Sequence, residues 1–174
     1  DDGDFFKNSA LIKAMDNAKK NNKKLHLYGL LSDGGVHSHV KHVYALLKMA
    51  KLHGLEECFV HCFMDGRDVS PKSGIDFIKN LQAEMKKIGI GKIATVCGRY
   101  YAMDRDNNWD RTEKAYDMLT IGNGAKSNDA VKAVEENYIN GITDEFIKPT
   151  NICENGKPVA LIEKGDSIIF FNFR

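Results

Sequence analysis

The sequence predicts a three-layer α/β/α fold with a mainly parallel, mixed sheet and an appended β-hairpin. Two observations support this prediction. Short apolar runs alternate with helical apolar patterns, and the loops that follow the apolar runs are polar and contain glycine or charged residues. Strands that alternate with helices favour a parallel sheet covered on both faces. Such sheets bind ligands at the edge where the strands end.

Three strand–loop–helix units follow one another. Their predicted strands are residues 25–31, 58–64 and 92–97, and their predicted helices are residues 40–50, 71–88 and 110–120. Ser70 and Pro71 are predicted as the N-cap and first residue of the second helix, because proline is favoured at that position. Gly54 and Gly89 are predicted to end the first two helices.

The pattern changes after residue 120. In chain order, the remaining predicted elements are a helix at 129–139, strands at 145–153 and 158–162, and a last strand at 167–173. Ser127 or Asn128 is expected to cap that helix. The pair Asn155–Gly156 favours a tight turn and predicts the hairpin. Because the sequence stops directly after an apolar strand, we expect it to be a fragment of a longer protein.

Composition excludes several classes of protein. The 174 residues are 43% hydrophobic, which fits a single domain over residues 1–174. A net charge of +1 provides no overall field for nucleic acid or an anionic membrane. No run approaches the roughly 18 apolar residues of a membrane span, so we expect a soluble, cytoplasmic protein. Four cysteines are expected as buried, reduced thiols: Cys58, Cys62, Cys97 and Cys153.

Arginine is scarce and unevenly placed. The chain has 20 lysines and five arginines, and four of the arginines follow predicted strands: Arg67, Arg99, Arg105 and Arg174. Guanidinium forks grip phosphate and carboxylate, so this set suits a compact anion such as a phosphorylated hydroxy acid. Arg111 starts a helix, and we expect it to be an ordinary surface charge.

The loop at residues 33–39 follows the first predicted strand. Gly34 and Gly35 permit a sharp turn, and His37 is the best candidate to contact a ligand. Two alternatives remain open from the residues alone. In the first alternative, the loop is a plain glycine turn with exposed histidines. In the second, it is a metal site in which His37 and His39 act with Asp33 or His61.

The loop Asp65-Gly66-Arg67-Asp68 follows the second predicted strand. Arg67 offers a planar fork to an anion, and Asp68 is suited to accept a proton from a substrate hydroxyl. The alternative is a solvated turn closed by its own ion pair. The common glycine-rich nucleotide signatures and the G-x-S-x-G nucleophile motif do not occur in the sequence.

Together the motifs resemble the cofactor-independent phosphoglycerate mutases, and specifically their substrate-binding or phosphotransferase domain. The matching segments, in order, are 29–39 (GLLSDGGVHSH), 65–68 (DGRD), 98–106 (GRYYAMDRD), 109–111 (WDR) and 171–174 (FNFR). The resemblance implies an isomerase of glycolysis that interconverts 3-phosphoglycerate and 2-phosphoglycerate. In that family a serine in a phosphatase-like domain takes the phosphoryl group with two divalent metals, manganese or magnesium, while the glycerate stays bound and reorients.

The resemblance also implies roles for particular residues. Substrate contacts are expected from His37, Arg67, Asp68, Arg99, Arg105 and Arg174. Asp68 is expected to be the proton acceptor and donor. The nucleophilic serine and the metal ligands of the phosphatase-like domain are absent from this sequence, so we expect no cofactor in this chain and no turnover by it alone.

The expected partners are 2- and 3-phosphoglycerate and the phosphatase-like domain of the same protein. Nucleic acid and membranes are not expected as partners. The alternatives are a non-catalytic binding module for a phosphorylated metabolite and a histidine-based metallohydrolase.

Overall fold

A computed structural model describes residues 3–174, which form six α-helices and seven strands. The helices are α1 (Ser9–Lys20), α2 (Val40–Leu52), α3 (Gly74–Ile88), α4 (Arg99–Ala102), α5 (Trp109–Thr120) and α6 (Ala130–Ile139). The strands are β1 (Leu25–Leu30), β2 (Phe59–Met64), β3 (Lys92–Gly98), β4 (Ala125–Ser127), β5 (Thr150–Glu154), β6 (Lys157–Pro158) and β7 (Ser167–Phe170). Two 3₁₀ turns lie at Asp4–Lys7 and Asp144–Phe146.

The strands form one mixed sheet in the order β4-β5-β3-β2-β1-β7, and β6 pairs with β5 outside this series. Strands β7, β1, β2 and β3 are parallel, whereas β5 is antiparallel to β3. Asn155 and Gly156 both have positive φ, 53° and 77°, as a two-residue type I′ hairpin turn requires. The predicted mixed sheet and its hairpin are therefore confirmed.

Helices cover both faces of the sheet. Alternation along β3 shows the two layers, because neighbouring strand residues point to opposite faces. Val96 packs in the main core with residues of α1, α2, α3 and α6, whereas Cys97 packs with Ala115 and Met118 of α5. The three-layer prediction is confirmed. The four cysteines are buried and form no disulfide within residues 3–174.

The predicted starts of two helices, α3 and α6, are wrong. Helix α3 begins at Gly74 with Ser73 as N-cap, not at Pro71. The carbonyl of Pro71 instead accepts the backbone N–H of Asp144 at 2.9 Å. Helix α6 is capped by Asp129, whose carboxylate accepts the backbone N–H of Lys132, and not by Ser127 or Asn128.

Four other differences concern the second half of the sheet and the first helix. The segment 145–149 is not strand, because a 3₁₀ turn precedes β5. The predicted 158–162 strand is reduced to the end of β6, and the last strand ends at Phe170 rather than at residue 173. Helix α1 was not predicted, although Asn8 caps it by accepting the N–H groups of Ala10 and Leu11.

No helix in the described range 3–174 has both the length and the apolar character needed to cross a bilayer.

Candidate functional site

The loops that follow β1, β2, β3 and β7 meet at one edge of the sheet, because these four strands are parallel. They surround an open cleft of about 330 Å³. All five arginines of the chain line it, together with His37, Tyr100 and Glu145. Of the six predicted site residues, five line the cleft directly, and the sixth, Asp68, accepts a hydrogen bond from Arg99. The predicted site residues therefore lie together at one edge of the sheet, and their role in binding stays a prediction.

A larger cavity, of about 550 Å³, lies at the opposite edge of the sheet. It is lined by the starts of β2 and β3 and by the end of α3, and its charged residues include Glu56, Glu57, Glu154, Lys86 and Lys92. It contains no arginine. The smaller cleft, with its guanidinium groups, is the better site for a compact anion.

Asp65 ties the loops of the cleft together. Its side chain is buried, and one carboxylate oxygen accepts the backbone N–H groups of Arg67 and Asp68, at 3.2 and 3.0 Å. The same oxygen accepts Nη1 of Arg99 at 2.8 Å, and the other accepts the Ser32 hydroxyl at 2.7 Å. Burial raises the pKa of Asp65, but these hydrogen bonds outweigh burial and hold the pKa below its ordinary value.

Arg99 lies in the wall of the cleft and is only 9% exposed. Its Nη1 donates to both Asp65 and Asp68 at 2.8 Å, and its Nη2 donates to Nε2 of His37 at 3.3 Å. Because a guanidinium only donates, this contact is a hydrogen bond when Nε2 of His37 carries no proton. Burial lowers the pKa of Arg99, yet the bonds to Asp68 and Asp65 leave it raised. Arg99 therefore organises the protein's own carboxylates as well as facing the cleft.

Three other arginines are available to an incoming anion. The side chain of Arg67 is 58% exposed, and its Nη1 is 3.9 Å from Glu145. Arg105 and Arg174 are exposed, and neither forms an ion pair within residues 3–174. The guanidinium N–H groups of these exposed side chains are therefore accessible to a ligand.

The expectation that Arg111 is an ordinary surface charge is wrong. Its guanidinium carbon lies 3.9 Å from the centre of the Tyr100 ring, and its Nη1 is 3.5 Å from Asp104. Asp104 accepts the side-chain and backbone N–H groups of Asn108, both at 2.8 Å, and these bonds lower its pKa. The aromatic platform and the carboxylate hold Arg111 at the cleft. Neither contact follows from spacing alone.

The structure does not assemble the alternative metal site. Nδ1 of His39 accepts the backbone N–H of Lys41 and caps α2. His61 is buried in β2, where its two ring nitrogens are bonded to His26 and Thr95 at 2.9 Å each. Within the part of the chain that the structure describes, no three or more His, Cys, Asp or Glu side chains are grouped to hold a metal.

The two plain-turn alternatives can also be compared with the geometry. Gly35 has a φ of 71°, so the turn after β1 uses the left-handed conformation that glycine favours. The loop after β2 is not a solvated turn closed by its own ion pair, because Asp65 is buried and pairs with Arg99 rather than with Arg67.

Comparisons with known proteins identify the family of this chain. The family described as "BPG-independent PGAM N-terminus" matches residues 1–174. The chain is similar to the 2,3-bisphosphoglycerate-independent phosphoglycerate mutases of Lachnoclostridium phytofermentans, at 58% identity, and Clostridium perfringens strain 13, at 60%. Each match covers 99% of this chain and 34% of the relative. A solved phosphoglycerate mutase of Leishmania mexicana superposes with a TM-score of 0.92 at 30% identity, over 98% of this chain and 33% of that one.

The chain thus spans about a third of the length of the relatives it matches. A family match over the whole sequence, together with identities of 58% and 60%, establishes the relationship. The chain belongs to the BPG-independent phosphoglycerate mutase family and corresponds to its N-terminal part.

Proposed function

We propose that this chain is the substrate-binding domain of a phosphoglycerate mutase, an isomerase that interconverts 3-phosphoglycerate and 2-phosphoglycerate in glycolysis. The observation that supports this most is the cleft that five arginines line, next to the carboxylate of Asp68. We propose further that the chain forms one domain, over residues 1–174, and works within a longer protein whose phosphatase-like domain supplies the nucleophilic serine.

The proposed substrate carries a phosphate and a carboxylate on a three-carbon skeleton. Two anionic groups at short spacing call for more than one guanidinium, because each fork grips one group through paired hydrogen bonds. Arg67, Arg105 and Arg174 carry exposed forks for this purpose. His37 lines the cleft beside Arg99 and Asp68, and we propose that it contacts a glycerate oxygen.

Asp68 is the proposed proton acceptor. When a glycerate hydroxyl attacks the phosphoserine, the new P–O bond forms as the serine P–O bond breaks. The bonding electron pair leaves with the serine oxygen, and the hydroxyl proton passes to the Asp68 carboxylate. In the reverse step Asp68 returns that proton. Its side chain is 19% exposed, and Arg99 holds one of its oxygens at 2.8 Å. A fixed carboxylate beside the substrate is the arrangement that proton transfer requires.

The divalent metals, manganese or magnesium, belong in this proposal to the phosphatase-like domain, where they would stabilise charge on the phosphoryl group. The described residues of this chain do not fit a metal, so their proposed tasks are binding, orientation and proton transfer. The chain's open cleft would be covered by the phosphatase-like domain, which would exclude water that otherwise hydrolyses the phosphoserine. Four buried free thiols support a reducing compartment, and we place the protein in the cytoplasm.

The proposal is tested by Arg105→Ala in the full-length protein that contains this chain. We expect kcat/KM to fall by about 100-fold or more, since a charge-assisted pair with the substrate is lost. Lys86→Ala is the matched control, because it removes one positive charge at the cavity on the opposite edge. Its kcat/KM should stay within about twofold of the parent value. Equal kinetics for parent protein and Arg105→Ala would contradict the assignment of the cleft.

The purified 174-residue chain is expected to show no interconversion of the two phosphoglycerates. Its described residues supply the proposed substrate-binding arginines and the proposed proton acceptor. The serine that carries the phosphoryl group belongs, in this proposal, to the phosphatase-like domain. A coupled assay for 2-phosphoglycerate provides the measurement, with the full-length protein as the positive control. Turnover by the short chain, surviving extensive purification, would show that it contains its own nucleophile.

A further inference from the structure

We propose that Asp65 is a positioning residue for Asp68: the buried Asp65 carboxylate shares the Arg99 guanidinium with Asp68, and this sharing sets how strongly Asp68 holds a proton. The inference rests on the proposed function, in which Asp68 exchanges a proton with the substrate. Asp65 itself is buried and does not line the cleft, so it acts through its neighbours.

The Arg99 guanidinium bridges Asp65 and Asp68. One nitrogen, Nη1, donates to Oδ1 of Asp65 and to Oδ2 of Asp68, each at 2.8 Å. A guanidinium nitrogen of this kind has two N–H bonds, so each carboxylate takes one. The negative charge of Asp65 therefore lies beside the cation that stabilises Asp68, and it offsets part of that stabilisation by repelling the Asp68 carboxylate.

The other groups near Asp68 do not replace Arg99. From the loop after β1, Nε2 of His37 lies 3.7 Å from the Asp68 carboxylate. Arg67, on the same loop as Asp68, is directed to Glu145 of the 3₁₀ turn. Among residues 3–174, Arg99 is the cation at hydrogen-bond distance from Asp68.

The surroundings of Asp65 favour its charged form. Its carboxylate accepts the hydroxyl of Ser32 and the backbone N–H groups of Arg67 and Asp68 in addition to Arg99. A second buried carboxyl, Asp144 on the 3₁₀ turn, lies close enough that the charge of Asp65 helps to raise its pKa. Asp144 accepts the Tyr138 hydroxyl and the backbone N–H of Gly74, and burial raises its pKa. These contacts keep the Asp65 carboxylate ionised, so that its negative charge stays beside Arg99 and Asp68.

Asparagine at position 65 would remove the charge and keep the contacts. Its carbonyl oxygen can accept from Arg99 and from the two backbone N–H groups, as Oδ1 of Asp65 does now. Its amide nitrogen can donate to the Ser32 hydroxyl, which at present donates to Oδ2. Asp65→Asn therefore separates the electrostatic role of this residue from its structural role.

The expected effect of Asp65→Asn has a definite sign. Asp68 would lose a negative neighbour and keep the Arg99 cation, and this change favours the ionised Asp68 carboxylate. The acid limb of the kcat/KM profile should therefore move to lower pH, by roughly one unit. Because a weaker base accepts the hydroxyl proton less readily, kcat should fall about 3- to 10-fold at neutral pH.

The test is the pH profile of kcat/KM for the full-length protein and its variants. Ser32→Ala is the control, since it disturbs the other oxygen of Asp65 and leaves every charge in place. An acid limb lowered in Asp65→Asn and unmoved in Ser32→Ala supports the proposal. A limb that Asp65→Asn leaves unmoved or raises overturns it, and so does an equal shift in both variants.

Two further variants make every outcome decisive. Asp68→Asn reads out the proposed function itself: if it keeps the parent rate and acid limb, Asp68 is not the proton acceptor, whatever Asp65 does. If circular dichroism shows that Asp65→Asn does not fold, Arg99→Gln takes its place. Removing the shared cation should raise the acid limb by roughly one unit, and an unmoved limb would overturn the proposal.

Discussion

Asp68→Asn is expected to lower the kcat of the full-length protein by about 10²- to 10⁴-fold, the usual contribution of a positioned general base. The amide keeps the size of the side chain and can still accept from Arg99, but it cannot take up a proton. The arginine forks of the cleft remain in place, so the affinity for phosphoglycerate should change by only a few-fold. The effect therefore belongs in kcat and not in binding.

Asp33→Asn is the control for this prediction. Asp33 is exposed in the loop after β1, and it forms no ion pair in the described part of the chain. Removing its charge should leave kcat within about twofold. Steady-state kinetics and direct titration with 3-phosphoglycerate separate the two parameters. A variant Asp68→Asn with the parent kcat and a weakened affinity would make Asp68 a binding residue only.

Periodicity predicted the part of the fold that places the site. Three apolar runs with helices after them are enough to give parallel strands, and parallel strands bring their following loops to one edge. His37, Arg67 and Arg105 could be placed there without coordinates. Helix α1 was not predicted, although the sequence contains signals for it. Asn8 is a favoured cap, and Leu11, Met15 and Ala18 repeat at helical spacing.

Spacing along the chain did not reveal how the site residues divide their work. Arg99 was predicted as one of four equivalent anion grips, yet it is buried between two carboxylates that lie 34 and 31 residues earlier in the chain. Arg111 was expected to be a surface charge because it begins a helix, and its contact with the Tyr100 ring exists only after α4 and α5 pack together. Such pairings depend on which loops meet, and short sequence patterns do not contain that information.

Gly98 makes a close contact that the sequence likewise did not reveal. Gly98 ends β3, and a Cβ built there would collide with the backbone of Glu145 and Ile147. The close approach places Glu145 beside the cleft, facing Arg67. In the sequence, Gly98 is a small residue before an arginine, and nothing near it indicates a contact with a segment almost 50 residues later.

Arg99→Met is expected to destabilise the 174-residue chain by about 3–5 kcal/mol at neutral pH, the usual cost of removing one partner of a buried ion pair. Methionine fills a similar space, so the loss comes mainly from the buried Asp65 carboxylate, which keeps its backbone and Ser32 contacts and loses its cation. Arg67→Met is the matched control. The Arg67 side chain is 58% exposed and 3.9 Å from Glu145, so its removal should cost no more than about 0.5 kcal/mol.

The pH dependence of urea unfolding distinguishes charge from packing in this prediction. In the parent chain the pKa of Asp65 lies below its ordinary value, so this group stabilises the fold above about pH 4 and loses that contribution as the pH falls through its folded value. Without Arg99 the pKa of Asp65 rises, and the folded variant takes up a proton at higher pH than the parent does. The difference in stability between parent and Arg99→Met should therefore be largest near pH 7 and narrow below about pH 4. A difference that stays constant from pH 7 to pH 3 would mean that Arg99 stabilises the chain through packing, because lost van der Waals contacts do not titrate.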